Sequence, residues 1–167
     1  MEIKKAKESD IEAVEAIYAE ARAFMRKSGN LLQWQGGYPP RDRIAADIKS
    51  ENLYKVCEEG SDTPIAVFFF AIGIDPTYLK IYGGEWICPE EEYGVIHRIA
   101  ISDAAHGRGV GKFCFDYCYS LIPNLRIDTH KDNLPMQKSL AKAGFSKRGI
   151  IYLASGDERI AYQKTDK

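Results

Sequence analysis

The sequence predicts one mixed domain, α/β or α+β, in which helices cover both faces of a central sheet. Three observations lead to this prediction. The chain has 167 residues, the usual size of a single domain. Hydrophobic residues make up 45% and charged residues 28%, as in ordinary soluble globular proteins. Strand-like segments also alternate with amphipathic helical ones, so we treat residues 1–167 as a single domain.

The N-terminal part is predicted to begin with a strand followed by two helices. Ser9 and Glu12 have the spacing of a capping box, and apolar residues then recur at helical intervals until Gly29 ends the helix. A loop rich in aromatic and turn residues leads to a short helix at 41–48. Strand patterns follow at 53–57, 65–74 and 95–101.

The C-terminal part alternates helices and strands. From residue 107 apolar side chains fall on one helical face until Pro123. Asn133 and Gly144 are suited to begin and end a helix over 134–143. The remaining strand patterns lie at 125–129, 145–153 and 159–163.

Charge and composition exclude several classes of protein. The formal net charge is -1 and no basic run occurs, so we expect no nucleic-acid or anionic-membrane partner. The longest apolar run, at 65–74, is too short to span a bilayer, and the N-terminus has no secretion-signal pattern. The four cysteines form no CxxC pair and the three histidines are scattered. We therefore expect a cytoplasmic, metal-free protein with buried free thiols at Cys114 and Cys118.

Residues 99–112 carry the strongest chemical signal. They run from a strand through a loop with three glycines into a helix, which exposes backbone N–H groups beside a helix N-terminus. This arrangement favours a phosphate or pyrophosphate. A Walker A loop fits poorly because Phe113 stands where a hydroxyl is required, and the glycines are spaced two and two, unlike a dinucleotide fingerprint. Two other interpretations of this loop stay open: a glycine-rich turn that binds no ligand, and a nucleotide-binding loop.

The same loop resembles the acyl-CoA signature of the GNAT (Gcn5-related) N-acetyltransferases, Q/R-x-x-G-x-G/A, here residues 106–111. Residues 128–133, followed by Gly144 and Phe145, are similar to the family's strand, Asn, helix and Gly-Phe ending. The resemblance implies a mixed, mostly antiparallel central sheet of six to seven strands with helices on both faces. It also implies an acetyl-CoA-dependent enzyme that acetylates a primary amine by direct transfer in a ternary complex.

The resemblance further implies where acetyl-CoA binds. The backbone of Ile99 and Ile101 would pair with the pantetheine arm, and Asn133 would contact that arm besides capping a helix. The pyrophosphate would lie on the loop residues His106, Gly107, Arg108, Gly109, Val110, Gly111 and Lys112. His106 replaces the usual Arg or Gln, so Arg108 and Lys112 are expected to supply positive charge.

The family's usual general acid is missing. Leu140 lies seven residues after Asn133, where many members carry the tyrosine that protonates the departing thiolate. Tyr152 is a substitute candidate. The absence leaves an alternative open, namely a non-catalytic acyl-CoA-binding sensor or interaction module.

Candidate catalytic groups lie in and before the strand that enters the loop. The N–H of Ile99 would polarise the thioester carbonyl. Strict alternation puts His97 on the same strand face as Ile99 and Ile101, and the ordinary pKa of an imidazole suits a general base. A histidine packed inside the sheet is the alternative, and Glu85 is the second candidate base.

The acceptor is expected to be a small-molecule amine or a peptide amine. Trp34, Gln35 and Tyr38, together with the acidic residues 90–92, would suit a cationic amine. A hydrophobic lid beside a solvated acidic loop is the alternative. Unpaired strand edges and ten tyrosines make a homodimer an option.

Overall fold

The computed structural model describes residues 1–167 and contains one seven-stranded sheet and four helices. The strands are β1 (Glu2–Lys5), β2 (Leu53–Cys57), β3 (Pro64–Ile72), β4 (Gly94–Ile101), β5 (Asn124–Thr129), β6 (Ser146–Tyr152) and β7 (Glu158–Thr165). The helices are α1 (Ile11–Lys27), α2 (Arg41–Lys49), α3 (Val110–Leu121) and α4 (Leu134–Lys142). The predicted fold class and order of elements are confirmed.

The sheet is antiparallel except at one junction. Its strand order is β1-β2-β3-β4-β5-β7-β6, and only β4 and β5 run parallel, connected through α3. These two strands pair at Gly94 with Leu125 and at Val95 with Arg126, and no further pair follows. Beyond Val95, the β5 side of β4 therefore has an unpaired edge.

Helices cover both faces of the sheet. On one face, α1 and α2 bury apolar residues such as Val14 and Ile44 against β2 to β4. On the other face, α3 and α4 pack residues such as Phe115 and Leu140 into a larger cluster. Cys114 and Cys118 belong to that cluster as free, fully buried thiols, as predicted. None of the helices combines the length and apolarity that a membrane crossing requires.

The start of α1 differs from the prediction. Ser9 makes no cap, and the carboxylate of Asp10 instead accepts a hydrogen bond from the Lys7 amide at 2.8 Å. The second Asp10 oxygen pairs at 2.8 Å with Lys55, whose side chain is only 1% exposed. Asp10 therefore joins the start of α1 to β2, a long-range contact that the capping-box pattern does not predict.

A bulge interrupts β4 at Arg98. His97 pairs with Phe69 and Ala100 pairs with Val67, so Arg98 and Ile99 together face the single residue Phe68. Arg98 has a φ of 50°, in the left-handed region that a residue with a Cβ rarely adopts.

The bulge also shifts the alternation of side chains along β4. Ile99 and Ile101 pack on the cluster beside α3 and α4, whereas Ala100 belongs to the cluster beside α1 and α2. His97 lies beside Phe69, with ring centres 5.9 Å apart. The common face predicted for His97, Ile99 and Ile101 is therefore wrong, because the extra residue reverses the phase.

Candidate active site

One cavity of about 960 Å³ extends along β4 where it separates from β5. Because the opening lies within the sheet, residues from both faces of the sheet line the cavity. Of the predicted site residues it is lined by Trp34, Gln35, Tyr38, His97, Ile99, Ile101, His106, Gly107, Gly111 and Asn133.

The glycine-rich loop forms one end of the cavity. Gly107 and Gly109 both have a φ of 76°, and a Cβ added to either would meet no atom within 4 Å. Gly109 is the N-cap residue of α3, and no side chain caps this helix. The first amides of α3 therefore have no intrahelical acceptor and no capping side chain, which suits an anion.

The charged side chains of the loop already have partners. Arg108 pairs with Glu58, and Lys112 pairs with Asp116.

His106 Nε2 lies 3.1 Å from the Ile101 carbonyl oxygen, and its ring packs on Phe24 with centres 4.6 Å apart. The side chain of Val110 is buried in the core, so only its backbone faces the loop. Backbone amides are thus the main groups available to an anion.

Asn133 joins α4 to the loop that follows α1. Its Oδ1 accepts a hydrogen bond from the Met136 amide at 3.2 Å, which confirms the predicted helix cap. Its Nδ2 donates to Gln33 Oε1 at 2.8 Å. Leu140 is fully buried in the core and does not line the cavity, so it supplies no proton donor there.

Around His97 the structure assembles a cluster of carboxylates. Asp75, in the loop after β3, places Oδ2 2.7 Å from His97 Nε2. A carboxylate can only accept, so the imidazole carries a proton on Nε2. Burial raises the pKa of Asp75, but the hydrogen bond and the charge of His97 outweigh it and bring the pKa to about 2.

The second carboxylate of the cluster is Asp128 on β5. Its Oδ1 lies 3.8 Å from His97 Nδ1 and accepts a hydrogen bond from the Tyr78 hydroxyl at 2.7 Å. Its Oδ2 is 4.0 Å from Arg159 Nε, beyond hydrogen-bonding distance. Burial, followed by the charge of Asp128, raises the pKa of Tyr78, so this hydroxyl stays protonated and holds Asp128 in place.

Besides Arg108, Gly109, Val110 and Lys112 of the loop, three predicted groups do not line the cavity. Glu85 is exposed, and its backbone carbonyl accepts a hydrogen bond from Arg148. Tyr152 is 47% exposed at the end of β6, where its ring packs on Tyr82. The acidic residues 90–92 are also exposed, and Glu91 pairs with Lys167. The structure does not bring these groups together with His97.

Sequence reasoning missed the carboxylates that surround His97. Asp75 and Asp128 lie on other elements, and no spacing in the chain connects them to the histidine. The available signal was their position at strand ends, Asp75 after β3 and Asp128 near the end of β5.

Comparison with known proteins identifies the family of the chain and agrees with its fold. No protein-family model and no curated protein matches the chain. Among solved structures, a GNAT-family acetyltransferase from Streptococcus agalactiae is 32% identical, with a TM-score of 0.88 over 99% of this chain and 95% of that chain. A putative acetyltransferase from Staphylococcus aureus is 24% identical, with a TM-score of 0.72 over the full length of both chains. The chain belongs to the GNAT family of acetyltransferases.

Proposed function

We propose that the protein is an acetyl-CoA-dependent N-acetyltransferase that transfers acetyl directly to a primary amine in a ternary complex. The observation that carries this proposal is one continuous cavity with an anion-binding loop at one end and the His97 cluster at the other. Membership of the GNAT family supports it.

The residues of the cofactor half fit an acyl-CoA. Amides at the start of α3 would hold the pyrophosphate, and the edge of β4 beyond Val95 lacks a neighbour on the β5 side, which suits an extended pantetheine arm. Asn133 lies further along the same cavity. Acetyl-CoA, when bound, supplies an acyl group activated as a thioester, and the N–H of Ile99 would donate to its carbonyl oxygen.

His97 is the proposed general base. Asp75 fixes the tautomer, so that Nδ1 is the atom that accepts a proton from the amine. Asp128 is the proposed binding group for the incoming ammonium ion, since its Oδ2 accepts no hydrogen bond within the protein and the carboxylate lies opposite Nδ1. The proposal assigns no separate general acid because a thiolate is a tolerable leaving group.

The acceptor's remaining atoms would lie against an aromatic wall. The rings of Trp34 and Tyr38 are 6.1 Å apart and both line the cavity, as does Gln35. Such rings suit the alkyl part of an amine and, by their faces, its positive charge.

Calorimetric titration with acetyl-CoA, followed by a thiol-release assay over a panel of primary amines, tests this function. Binding together with amine-dependent release supports it. Binding without release for any amine would instead favour the acyl-CoA sensor, the second candidate, which is supported by the leucine at position 140 in place of the family's tyrosine. Tighter binding of ATP or NAD than of acetyl-CoA would refute both.

A further inference from the structure

We propose that Tyr18, Arg98 and Asp47 form a positioning unit that holds the Ile99 amide in its catalytic orientation. The inference rests on the proposed function, in which the Ile99 N–H donates to the carbonyl of the acyl donor. None of the three side chains is assigned a reacting role. They act through the backbone of the β4 bulge.

The first part of the unit is the peptide between Arg98 and Ile99. The hydroxyl of Tyr18, on α1, donates to the Arg98 carbonyl oxygen at 3.0 Å. A trans peptide is planar, and its C=O and N–H point in opposite directions. Holding the carbonyl towards Tyr18 therefore turns the Ile99 N–H away from α1. Burial raises the pKa of Tyr18, so its hydroxyl remains a donor at any physiological pH.

The second part is the side chain of Arg98. Its Nε and Nη2 donate to the two carboxylate oxygens of Asp47, on α2, at 2.8 and 3.0 Å. Its guanidinium lies 4.7 Å from the centre of the Phe69 ring. These contacts hold a non-glycine residue at a φ of 50°, a conformation that it would otherwise leave.

The burial of this ion pair indicates a role in geometry. The side chains of Arg98 and Asp47 are only 12% and 5% exposed, and burying two charges offsets much of their attraction. A second ion pair, Arg41 with Glu15, joins α2 to α1 at the exposed surface without contacting β4. The chain thus contains a matched control, an ion pair between the same two helices that includes none of the residues contacting Arg98.

The test compares Tyr18→Phe, Arg98→Gly, Arg98→Ala and Asp47→Asn with the control Arg41→Ala. Tyr18→Phe removes one hydrogen bond and keeps the ring. Its kcat should fall about 10-fold, less than the ~10²–10³-fold loss on deleting an oxyanion donor, because the amide is misdirected and not removed. The KM for acetyl-CoA should stay within about twofold, since the proposed pyrophosphate and pantetheine contacts are unchanged and one hydrogen bond to the thioester carbonyl adds little to binding. Asp47→Asn should lower kcat in the same way, and Arg41→Ala should leave it unchanged.

The two substitutions of Arg98 separate a backbone role from a packing role. Glycine adopts positive φ without a Cβ penalty, whereas alanine does not. We therefore expect Arg98→Gly to retain more kcat than Arg98→Ala, although glycine removes more side chain. Equal kcat values, or a faster Arg98→Ala, would overturn the proposal.

A spectroscopic readout makes the result independent of the acceptor. Acetyl-CoA is labelled with ¹³C at the thioester carbon, and its carbonyl stretching frequency is measured. This frequency should be lower for acetyl-CoA bound to the wild type than for free acetyl-CoA. It should move back towards the free value in Tyr18→Phe and Arg98→Ala. If the wild type fails to bind acetyl-CoA, the proposed function fails together with this unit. If the wild type binds and turns over but the band is unchanged in both variants, only the positioning unit fails.

Discussion

Asp128 on β5 lies directly across the opening of the sheet from His97 on β4. Both stand two residues beyond Val95 and Arg126, the last pair of the parallel ladder, and Asp128 Oδ1 is 3.8 Å from His97 Nδ1. Because the strands no longer exchange hydrogen bonds there, side chains from both can line one cavity. The same divergence that frees the edge of β4 therefore also places the two groups proposed to bind and deprotonate the amine.

Replacement of His97 by alanine should lower kcat by about 10²-fold or more, which is the usual contribution of a general base. The measurement is steady-state thiol release with the best amine of the panel over a range of pH. Titration with acetyl-CoA controls for folding, since binding of the donor should persist. An unchanged turnover and pH profile in this variant would exclude His97 as the base.

Asp75→Asn should destabilise the protein in a pH-dependent way. The folded protein lowers the pKa of Asp75 to about 2, so its stabilisation is complete above the ordinary pKa near 4 and is lost as the pH falls towards 2. At pH 5 the free energy of unfolding should drop by about 1–2 kcal/mol relative to wild type. Urea unfolding at pH 5, 4, 3 and 2.5 measures the difference, which should shrink with decreasing pH.

The exposed Glu90, which makes no ion pair, provides the control for Asp75. Glu90→Gln should match wild type at each of these pH values. A deficit in Asp75→Asn that stays constant from pH 5 to 2.5 would mean that the carboxylate is not stabilised by its charge.

Asp128→Asn should raise the KM for the amine by about 10-fold or more, because a charge-assisted hydrogen bond to the ammonium is lost. The asparagine oxygen can still accept from the Tyr78 hydroxyl, so the local structure is retained. Initial rates against amine concentration at saturating acetyl-CoA give the KM, and calorimetry should show unchanged acetyl-CoA affinity. A variant with wild-type KM would remove Asp128 from the acceptor site.

Gly109→Ala should reduce acetyl-CoA affinity and also cost about 1 kcal/mol of stability, since alanine is disfavoured at positive φ. Gly60 provides a matched control, because its φ of 75° is nearly equal to the 76° of Gly109 and both have open space at the Cβ position. Gly60→Ala should lose similar stability but keep the affinity. Equal affinities for both variants, measured by calorimetry, would argue against the loop as the phosphate site.

Features set by neighbouring residues were predictable from the sequence. The strand, glycine loop and helix around Gly109 follow from local spacing, and the cap at Asn133 follows from the preference of that residue for helix starts. Both depend on backbone groups within one turn of the residue concerned.

Features that depend on distant partners were not predictable. Arg98 lacks the conformational freedom of glycine, so nothing in its local sequence indicates a bulge, and the contacts that hold it come from Tyr18 and Asp47. Its presence reversed the phase of His97 relative to Ile99. The contact of Asp10 with Lys55 was likewise not predictable, because this ion pair joins two separate elements.

The two-residue junction between β4 and β5 divides the sheet into halves that share few backbone hydrogen bonds. An extended ligand lying along β4 would act as an additional strand between those halves, and protein and ligand would together complete one sheet. Slow exchange of the Ile99 and Ile101 amides with solvent would then mark the bound state, and ligand affinity would contribute directly to the resistance of the whole domain to unfolding.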